Sequence, residues 1–258
     1  MIDEKRILVF TACYNEKENI KKLILKIREY LPFSSILIID DNSPDNTSGV
    51  VKELQKNDSK LDLVIRDKKL GLDTAHKLAY QLAIEKNYDY LITMDADLSH
   101  DPKELINFKQ NLEIYPFVIG SRYVPGGKCL MKGSRLTMSK LGNSMIKFFS
   151  RINCNEFTTS YRGFNLKKLG DFHLNLVKQT GYSFFMGTIF EIDNKKFEIK
   201  EIPIIFTDRQ LGVSKIPKLE IFRTLINLAI LTLDLHLSQL TIVHNHKASM
   251  QLHQIVTM

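Results

Sequence analysis

Short apolar runs separated by amphipathic helical stretches dominate the first half of this 258-residue chain. The runs are rich in Ile, Leu and Val and lack strict polar alternation, which is typical of strands covered on both faces. Strands are predicted over residues 6–12, 35–40, 61–66, 88–94, 117–120 and 199–206, and helices over 20–31, 45–55, 74–86, 101–113 and 136–151. Because strands alternate with helices, we expect an α/β domain: a mostly parallel sheet flanked by helices, with ligands at the carboxyl ends of the strands. Pro203 favours a sheet edge for the last strand.

The composition is that of an ordinary folded protein, with 44% hydrophobic and 25% charged residues. It argues against disordered, fibrous and disulfide-scaffold proteins. A net charge of +7 favours anionic partners. The charge alone does not choose among phosphates, a membrane surface and nucleic acid, but no basic stripe is interleaved with aromatic residues, which disfavours nucleic acid. Cys13, Cys129 and Cys154 form no C-x-x-C pair, so neither a disulfide framework nor a zinc site is indicated. A reducing cytoplasm is therefore expected, and the first residues predict no export signal.

An apolar segment lies near the end of the chain. Arg223 and Asp234 leave only ten uncharged residues between them, whereas a helix that spans a membrane needs about 20 apolar residues. The segment therefore predicts a helix packed on protein or partly inserted into a membrane surface. We expect a catalytic domain over residues 1–218, this apolar or interfacial helix over 219–243 and a disordered tail over 244–258.

Two carboxylates, Asp95 and Asp97, follow the apolar run at residues 88–94. Alternate residues of an extended chain point to the same side, so both carboxylates could bind one divalent cation. D-x-D is common by chance on exposed loops, but a buried strand directly before it favours a ligand site. Asp97 has little structural use in that position.

Two further polar loops follow predicted strands. Asp41 lies in an acidic cluster after residues 35–40, where a carboxylate can accept hydrogen bonds from a base or ribose, while Asp45 fits a helix cap. After the first strand, Tyr14 could stack on a base and Glu16 accept hydrogen bonds from it. Neither a G-x-G-x-x-G nor a P-loop motif is present, which points away from dinucleotide enzymes and P-loop NTPases.

Taken together, these motifs resemble the nucleotide-sugar half of GT-A glycosyltransferases, specifically family 2 enzymes of the dolichol-phosphate mannose synthase type. The resemblance spans about residues 6 to 225. It rests on Tyr14-Asn15-Glu16, Asp40 to Asp45, Met94 to His100, Gly120 to Tyr123, Gly126-Gly127, Arg135 with Ser139 and Asn143, Gly181 to Phe184, and the run from Glu201 to Lys215. The order of the motifs is far more specific than any one of them. The resemblance implies the GT-A fold, a Rossmann-like, mostly parallel sheet flanked by helices.

The resemblance also implies roles for individual residues. Three groups of residues would bind the donor. The guanosine-binding positions are Ala12, Tyr14, Glu16, Ile39 and Asp41, and the metal and donor site is formed by Asp95, Ala96 and Asp97. The phosphates would be surrounded by Arg122, Arg209 and Lys215. Asp95, Asp97 and Ser99 would hold Mg²⁺ or Mn²⁺. Arg122, Arg135 and Ser139 would receive the acceptor phosphate, and Asp97, Arg122 and Arg135 form the catalytic set.

The implied reaction is transfer of mannose from GDP-mannose to dolichyl or polyprenyl phosphate, on the cytoplasmic face of a membrane. A phosphate monoester has a second pKa of about 6, so its oxygen needs no strong general base. Direct displacement would invert the anomeric centre. The expected partners are the donor, the lipid phosphate and a membrane surface, and nucleic acid is not expected to bind. The need for a small membrane-anchoring subunit is left open. Alternatives are another donor such as UDP-glucose, another acceptor, or a catalytically silent nucleotide-sugar-binding homologue.

Several residues depart from the family pattern. Ala12 and Cys13 stand where Pro and Thr are usual, Asp73 where a second Gly is expected, and Ser99 where Gln is frequent. The order T-S-Y-R-G-F at residues 159–164 differs from the usual T-S-G-F-R. These departures bear on specificity more than on fold.

Overall fold

The computed structural model describes residues 5–208, 226–228 and 230–231. Its strands are β1 (Ile7–Cys13), β2 (Ser35–Asp40), β3 (Leu61–Ile65), β4 (Tyr90–Thr93), β5 (Phe117–Ser121), β6 (Lys128–Cys129), β7 (Arg162–Asn165), β8 (Ile199–Pro203) and β9 (Ile205–Phe206). Its α-helices are α1 (Lys17–Tyr30), α2 (Thr47–Gln55), α3 (Leu72–Glu85), α4 (Leu105–Ile114), α5 (Ser134–Ser150), α6 (Leu166–Leu169) and α7 (Ser183–Asn194). The predicted strands and helices of the first half are all present, with ends shifted by a few residues.

Seven strands form one sheet in the order β3-β2-β1-β4-β7-β5-β8. Strand β7 runs antiparallel to both of its neighbours, and the other pairs are parallel. The predicted mostly parallel α/β sheet is therefore confirmed. Pro203 closes β8 at the sheet edge, as its missing N–H requires.

Each face of the sheet is covered by its own hydrophobic cluster. In β1, Leu8 and Phe10 pack into one cluster while Ile7 and Val9 pack into the other. Helices α3 and α7 contribute to the first cluster, and α1 and α4 to the second. Each large apolar side chain that is fully buried contributes about 1.5–3 kcal/mol. Burial on both faces explains why the strands are apolar throughout.

Strand β7 is the main element that the sequence pattern does not predict. It is only four residues long and begins with Arg162, a residue that is rarely buried. A Cβ atom at Gly163 would lie 2.9 Å from Leu112 Cδ1 and 3.0 Å from Phe108 Cδ1, so α4 packs directly on the strand backbone. Glycine is required here by close packing rather than by a turn.

The predicted strand over residues 199–206 is two strands rather than one. Ile204 separates them and donates its N–H to Ser121 O at 3.0 Å. After this residue the chain leaves the main sheet, and β9 pairs with β6 in a second, two-stranded sheet. Helix α7 was not predicted either; its apolar residues surround the whole helix, so it lacks the one-sided pattern by which surface helices are recognised.

Only five residues of the predicted C-terminal helix are described, 226–228 and 230–231. Leu228 and Leu231 are buried in the core, whereas Ile226 and Ile230 are exposed. The rest of residues 219–243 and the tail at 244–258 lie outside the described residues. In the part of the chain that is described, no helix is both long and apolar enough to span a bilayer.

Candidate active site

The loops that follow β1, β2 and β4 meet at one edge of the sheet, because these strands are adjacent and parallel. One hydrogen bond joins the loops after β1 and β2, and another ties β1 itself to the residue that follows β4. Asn15 N–H donates to Ser43 Oγ at 2.9 Å, and Thr11 Oγ1 donates to Met94 O at 2.7 Å. The three acidic loops identified in the sequence thus lie side by side at the carboxyl ends of the strands, where ligands bind in sheets of this kind.

The loop that carries Asp95 and Asp97 is a turn. Because β4 ends at Thr93, the expectation that the two carboxylates alternate along an extended chain is wrong. Asp95 Oδ1 accepts a hydrogen bond from Ser160 Oγ at 2.5 Å, and Asp97 Oδ1 accepts one from Ser99 N–H at 3.0 Å. Leu98 has φ +61°, a conformation that is unfavourable for leucine. Such backbone strain is often found at ligand sites.

The hydroxyl of Ser99 is a further candidate metal ligand. Its Oγ is buried and has no hydrogen-bond partner among the described residues. Buried polar atoms rarely remain unpaired, so this oxygen fits a bound group. Two carboxylates and a hydroxyl are the hard oxygen ligands that Mg²⁺ or Mn²⁺ prefers. The described residues contain no group of three or more His, Cys, Asp or Glu side chains suited to a metal, so phosphate oxygens and water would complete the coordination.

His100 lies beneath the same loop, although no role is expected for it from the sequence. Only 1% of the residue is exposed, and its Nδ1 accepts the Asp95 N–H at 3.1 Å. Burial lowers the pKa of His100, and the nearby carboxylates only partly oppose that effect. The imidazole is therefore neutral. Its position five residues after Asp95, in a polar motif, was the signal available in the sequence.

Asp41 is held by Arg66, a residue that no sequence motif singles out. Its carboxylate pairs with the guanidinium of Arg66 and accepts the Gly71 N–H at 3.2 Å. Arg66 also donates to Thr74 Oγ1 and to Gly71 O. A carboxylate has about four acceptor positions. Asp41 therefore retains capacity for a ribose or base while Arg66 fixes its orientation.

The other guanosine-binding candidates differ in their exposure. Tyr14 is half-buried, and the Lys69 ammonium lies 4.2 Å from its ring centroid. Glu16 is buried and accepts from Asn19 Nδ2 at 2.9 Å. Ala12 is partly buried, while Ile39 has no exposed surface and belongs to the core, so it can only support the site from below. Asp45 accepts the Thr47 N–H at 2.9 Å, although the N-cap position of α2 is held by Asn46 rather than by Asp45.

Arg122 forms a buried ion pair with Glu156, a residue that no sequence motif singled out. Arg122 Nε and Nη2 each donate to Glu156 at 2.7 Å, and Nη2 also donates to Thr158 Oγ1. Burial disfavours both charges, but the mutual attraction holds the pKa of Glu156 below its ordinary value and raises that of Arg122. Nη1 makes no hydrogen bond to the described residues, so this nitrogen is available to a ligand.

The candidate acceptor residues lie on α5. Arg135 is exposed and pairs with Asp208 at 3.2 Å, while Ser139 Oγ is 2.6 Å from Tyr123 Oη. The two residues are one helical turn apart, as predicted.

The remaining predicted donor-binding residues lie elsewhere. Ala96 is buried within the D-x-D loop. Arg209 and Lys215 lie outside the described residues.

Curated proteins similar to this chain include two whose names specify a polyprenol phosphate acceptor and mannose. Polyprenol monophosphomannose synthase of Mycolicibacterium smegmatis is 34% identical over 214 residues, covering 82% of this chain and 81% of the relative. Undecaprenyl-phosphate mannosyltransferase of Micrococcus luteus is 32% identical over 211 residues, covering 81% of this chain and 87% of the relative.

Solved structures share the fold at lower sequence identity. Glucosyl-3-phosphoglycerate synthase of Mycobacterium tuberculosis, in complex with Mn²⁺, UDP and glucosyl-3-phosphoglycerate, superposes with a TM-score of 0.62 at 14% identity, over 90% of this chain and 80% of that one. A mannosyltransferase of Pyrobaculum calidifontis, in complex with GDP-Man and Mn²⁺, superposes with a TM-score of 0.52 at 17% identity, over 80% of this chain and 58% of that one. Both are GT-A-like neighbours, which confirms the expected fold.

The family profile for glycosyl transferase family 2 matches residues 8–172. This region contains the three acidic loops, the D-x-D turn, Arg122 and most of the sheet. The profile match, the two relatives and the geometry of the sheet edge agree with one another. The chain belongs to glycosyl transferase family 2 and is a glycosyltransferase.

Proposed function

We propose that this protein transfers mannose from GDP-mannose to a polyprenyl phosphate such as dolichyl phosphate, inverting the anomeric carbon. The turn from Asp95 to Ser99 carries the proposal of nucleotide-sugar transfer, because two carboxylates and a buried hydroxyl without a hydrogen-bond partner among the described residues lie within five consecutive residues of it. The names of the relatives from Mycolicibacterium and Micrococcus support the sugar and the lipid phosphate. The Pyrobaculum neighbour binds GDP-Man, which is compatible with the proposed donor.

The donor is bound by the loops at the sheet edge. Asp41, oriented by Arg66, accepts from the ribose or base, and Tyr14 stacks on the base. Asp95, Asp97 and Ser99 would hold Mg²⁺ or Mn²⁺, which when bound supplies Lewis-acid stabilisation of the departing diphosphate. Together these groups position the mannosyl C1 for displacement.

The acceptor phosphate supplies the nucleophile. Its oxygen forms a bond to C1 of mannose while the bond from C1 to the β-phosphate oxygen of GDP-mannose breaks, and the electron pair leaves with GDP. At neutral pH the phosphate oxygen is already largely anionic, so no protein base is required. Arg135 and Ser139 on α5, with Nη1 of Arg122, would bind this phosphate. A single displacement gives a β-linked product from an α-linked donor.

The surface of α5 supports a lipid acceptor at the membrane. Residues 128–151 contain six basic residues and no acidic residue. Large apolar side chains on this segment are also exposed: Leu130, Met138, Leu141, Phe148 and Phe149. Those on α5 recur at helical spacing, so they form one apolar face beside the cations. This pattern is typical of helices that lie in the interface of an anionic membrane, and we propose peripheral association at its cytoplasmic face.

A transfer assay tests the proposal. Purified protein is given polyprenyl phosphate with radiolabelled GDP-mannose or UDP-glucose, with Mn²⁺ or Mg²⁺ and with or without chelator. We expect a lipid-extractable mannose product that requires the metal, with the β configuration by NMR. Transfer from UDP-glucose in place of GDP-mannose would contradict the donor, an α-linked product would contradict direct displacement, and chelator-resistant transfer would contradict the metal site.

A further inference from the structure

His100 is held rigidly between two aromatic rings that come from distant parts of the chain. Its imidazole stacks on Tyr161, with ring centroids 4.8 Å apart and an interplanar angle of 22°. Phe206 packs edge-on against it, 5.6 Å away at 68°. The residue is 1% exposed, so the ring has no room to turn. Both ring nitrogens are therefore fixed in direction.

The hydrogen bonds of this ring define its protonation. Because Nδ1 accepts the Asp95 N–H at 3.1 Å, Nδ1 carries no proton and the proton resides on Nε2. Nε2 lies 3.3 Å from Thr159 Oγ1 and 3.9 Å from Asp95 Oδ2. The same imidazole thus contacts both the main chain of Asp95 and the segment that holds its carboxylate.

Asp95 needs such support because it lies beyond the end of β4, where no strand pairing holds its main chain. The turn also contains Leu98 at φ +61°, a sparsely populated conformation. Ser160 Oγ holds the Asp95 carboxylate from one side, and Ser160 is adjacent to Thr159. The loop is therefore attached to residues 159–160 through its carboxylate and, by way of His100, through its main chain.

We propose that His100 is a positioning residue that directs the Asp95 carboxylate toward the metal by accepting the Asp95 N–H at Nδ1. This inference rests on the metal-dependent transfer proposed above. His100 touches neither donor nor acceptor; it acts through Asp95. Groups that orient metal ligands in this way commonly change metal affinity by 10- to 100-fold when they are removed.

Two substitutions separate the two ring nitrogens. In His100→Asn the amide oxygen occupies the place of Nδ1, so it can accept the Asp95 N–H, whereas in His100→Gln the amide lies near the place of Nε2. The measurement is Mn²⁺ affinity by electron paramagnetic resonance with saturating GDP, and in parallel UDP. GDP affinity without metal and the melting temperature serve as controls. Thr159→Val is the matched variant for the Nε2 contact.

We expect His100→Asn to bind Mn²⁺ within about threefold of the wild type, and His100→Gln to bind it about tenfold more weakly or worse. Metal-free GDP affinity should be unchanged in both, which a general structural defect would not produce. Equal Mn²⁺ affinity for wild type and His100→Gln, or a greater loss in His100→Asn than in His100→Gln, would overturn the inference.

The ¹⁵N chemical shifts of His100 in the wild-type protein give a second test that does not depend on how the variants fold. A ring protonated at Nε2 is expected, and protonation at Nδ1 would overturn the inference. Neither measurement uses the lipid or a sugar. Failure of mannose transfer, with the Mn²⁺ pattern retained, would therefore count against the proposed function and not against the role of His100.

Discussion

At the scale of single residues, the charged groups of this site are held by partners from distant parts of the chain. Asp41 is held by Arg66, Asp95 by Ser160 and Arg122 by Glu156. Charges with little exposure to water are stable only when paired or hydrogen-bonded. The pairing also restricts their rotamers, so the site is organised before a ligand arrives.

Asp97→Asn tests the metal role of that carboxylate. The amide oxygen can still accept the Ser99 N–H, so the turn should persist while the charge is lost. We expect sugar transfer to fall at least about 100-fold, the upper range for a weakened metal site, with a melting temperature close to that of the wild type. A variant with wild-type transfer rate and wild-type Mn²⁺ dependence would show that Asp97 does not bind the metal.

The Arg122–Glu156 pair predicts a marked difference between single and double substitutions. Removing one partner of a buried ion pair leaves the other charge uncompensated and costs about 3–5 kcal/mol. We therefore expect Glu156→Leu to lower the free energy of unfolding in urea by about that amount, and Arg122→Leu/Glu156→Leu to lower it less. If the double variant is the less stable of the two, the interpretation of charge desolvation is wrong.

At the scale of elements, α5 has one side that contacts the interior of the protein and one side that exposes large apolar side chains. Its buried residue Asn143 accepts the Phe157 N–H at 2.7 Å and thereby contacts the loop that contains Glu156. Its outer face exposes Met138, Leu141 and Phe148. The helix therefore links the loop that pairs with Arg122 to the exposed apolar face for which we propose membrane contact.

Replacing the exposed apolar side chains of α5 should weaken membrane binding. Leu141→Ser/Phe148→Ser removes two residues that are 59% and 77% exposed, so stability should change little while binding to vesicles containing anionic lipid falls about tenfold or more. Vesicle flotation with the protein alone measures this. Phe33→Ser is the matched control, since Phe33 is 71% exposed but lies just before β2, at the amino end of that strand and outside α5. An equal loss in the control would contradict the assignment to α5.

At the scale of the whole molecule, ligand binding at the sheet edge should stabilise the entire domain. Donor and metal would contact the loops after β1, β2 and β4. These three strands are adjacent in the sheet, and each contributes residues to both hydrophobic clusters. A ligand at 100 times its Kd adds about 2.7 kcal/mol to the free energy of unfolding when it binds only the folded state.

We therefore expect GDP with Mn²⁺ to raise the melting temperature by several degrees, and EDTA to remove most of that increase. Differential scanning calorimetry at two GDP concentrations measures the effect. Mn²⁺ without nucleotide is the control and should give a smaller shift, because the protein offers few metal ligands of its own. An increase with GDP that EDTA leaves intact would show that nucleotide binding does not involve the metal.

Several features of this protein were determined by its sequence alone. The apolar runs and helical spacings are local patterns, so they predicted the α/β sheet and the elements of its first half. Acidic residues directly after the strands are also local, and parallel strands bring their ends to one edge, so the positions of Asp41, Asp95 and Asp97 could be predicted.

Only the tertiary structure decided which groups hold the charged side chains at these positions and at Arg122. Ser160 is 65 residues from Asp95, and Glu156 is 34 residues from Arg122, so no periodicity in the chain connects them. The same is true of β7, whose short, Arg-containing segment becomes a strand only because β4 and β5 pair with it on both sides. Local propensity determined the elements, while long-range packing and hydrogen bonding determined how the active-site charges are oriented.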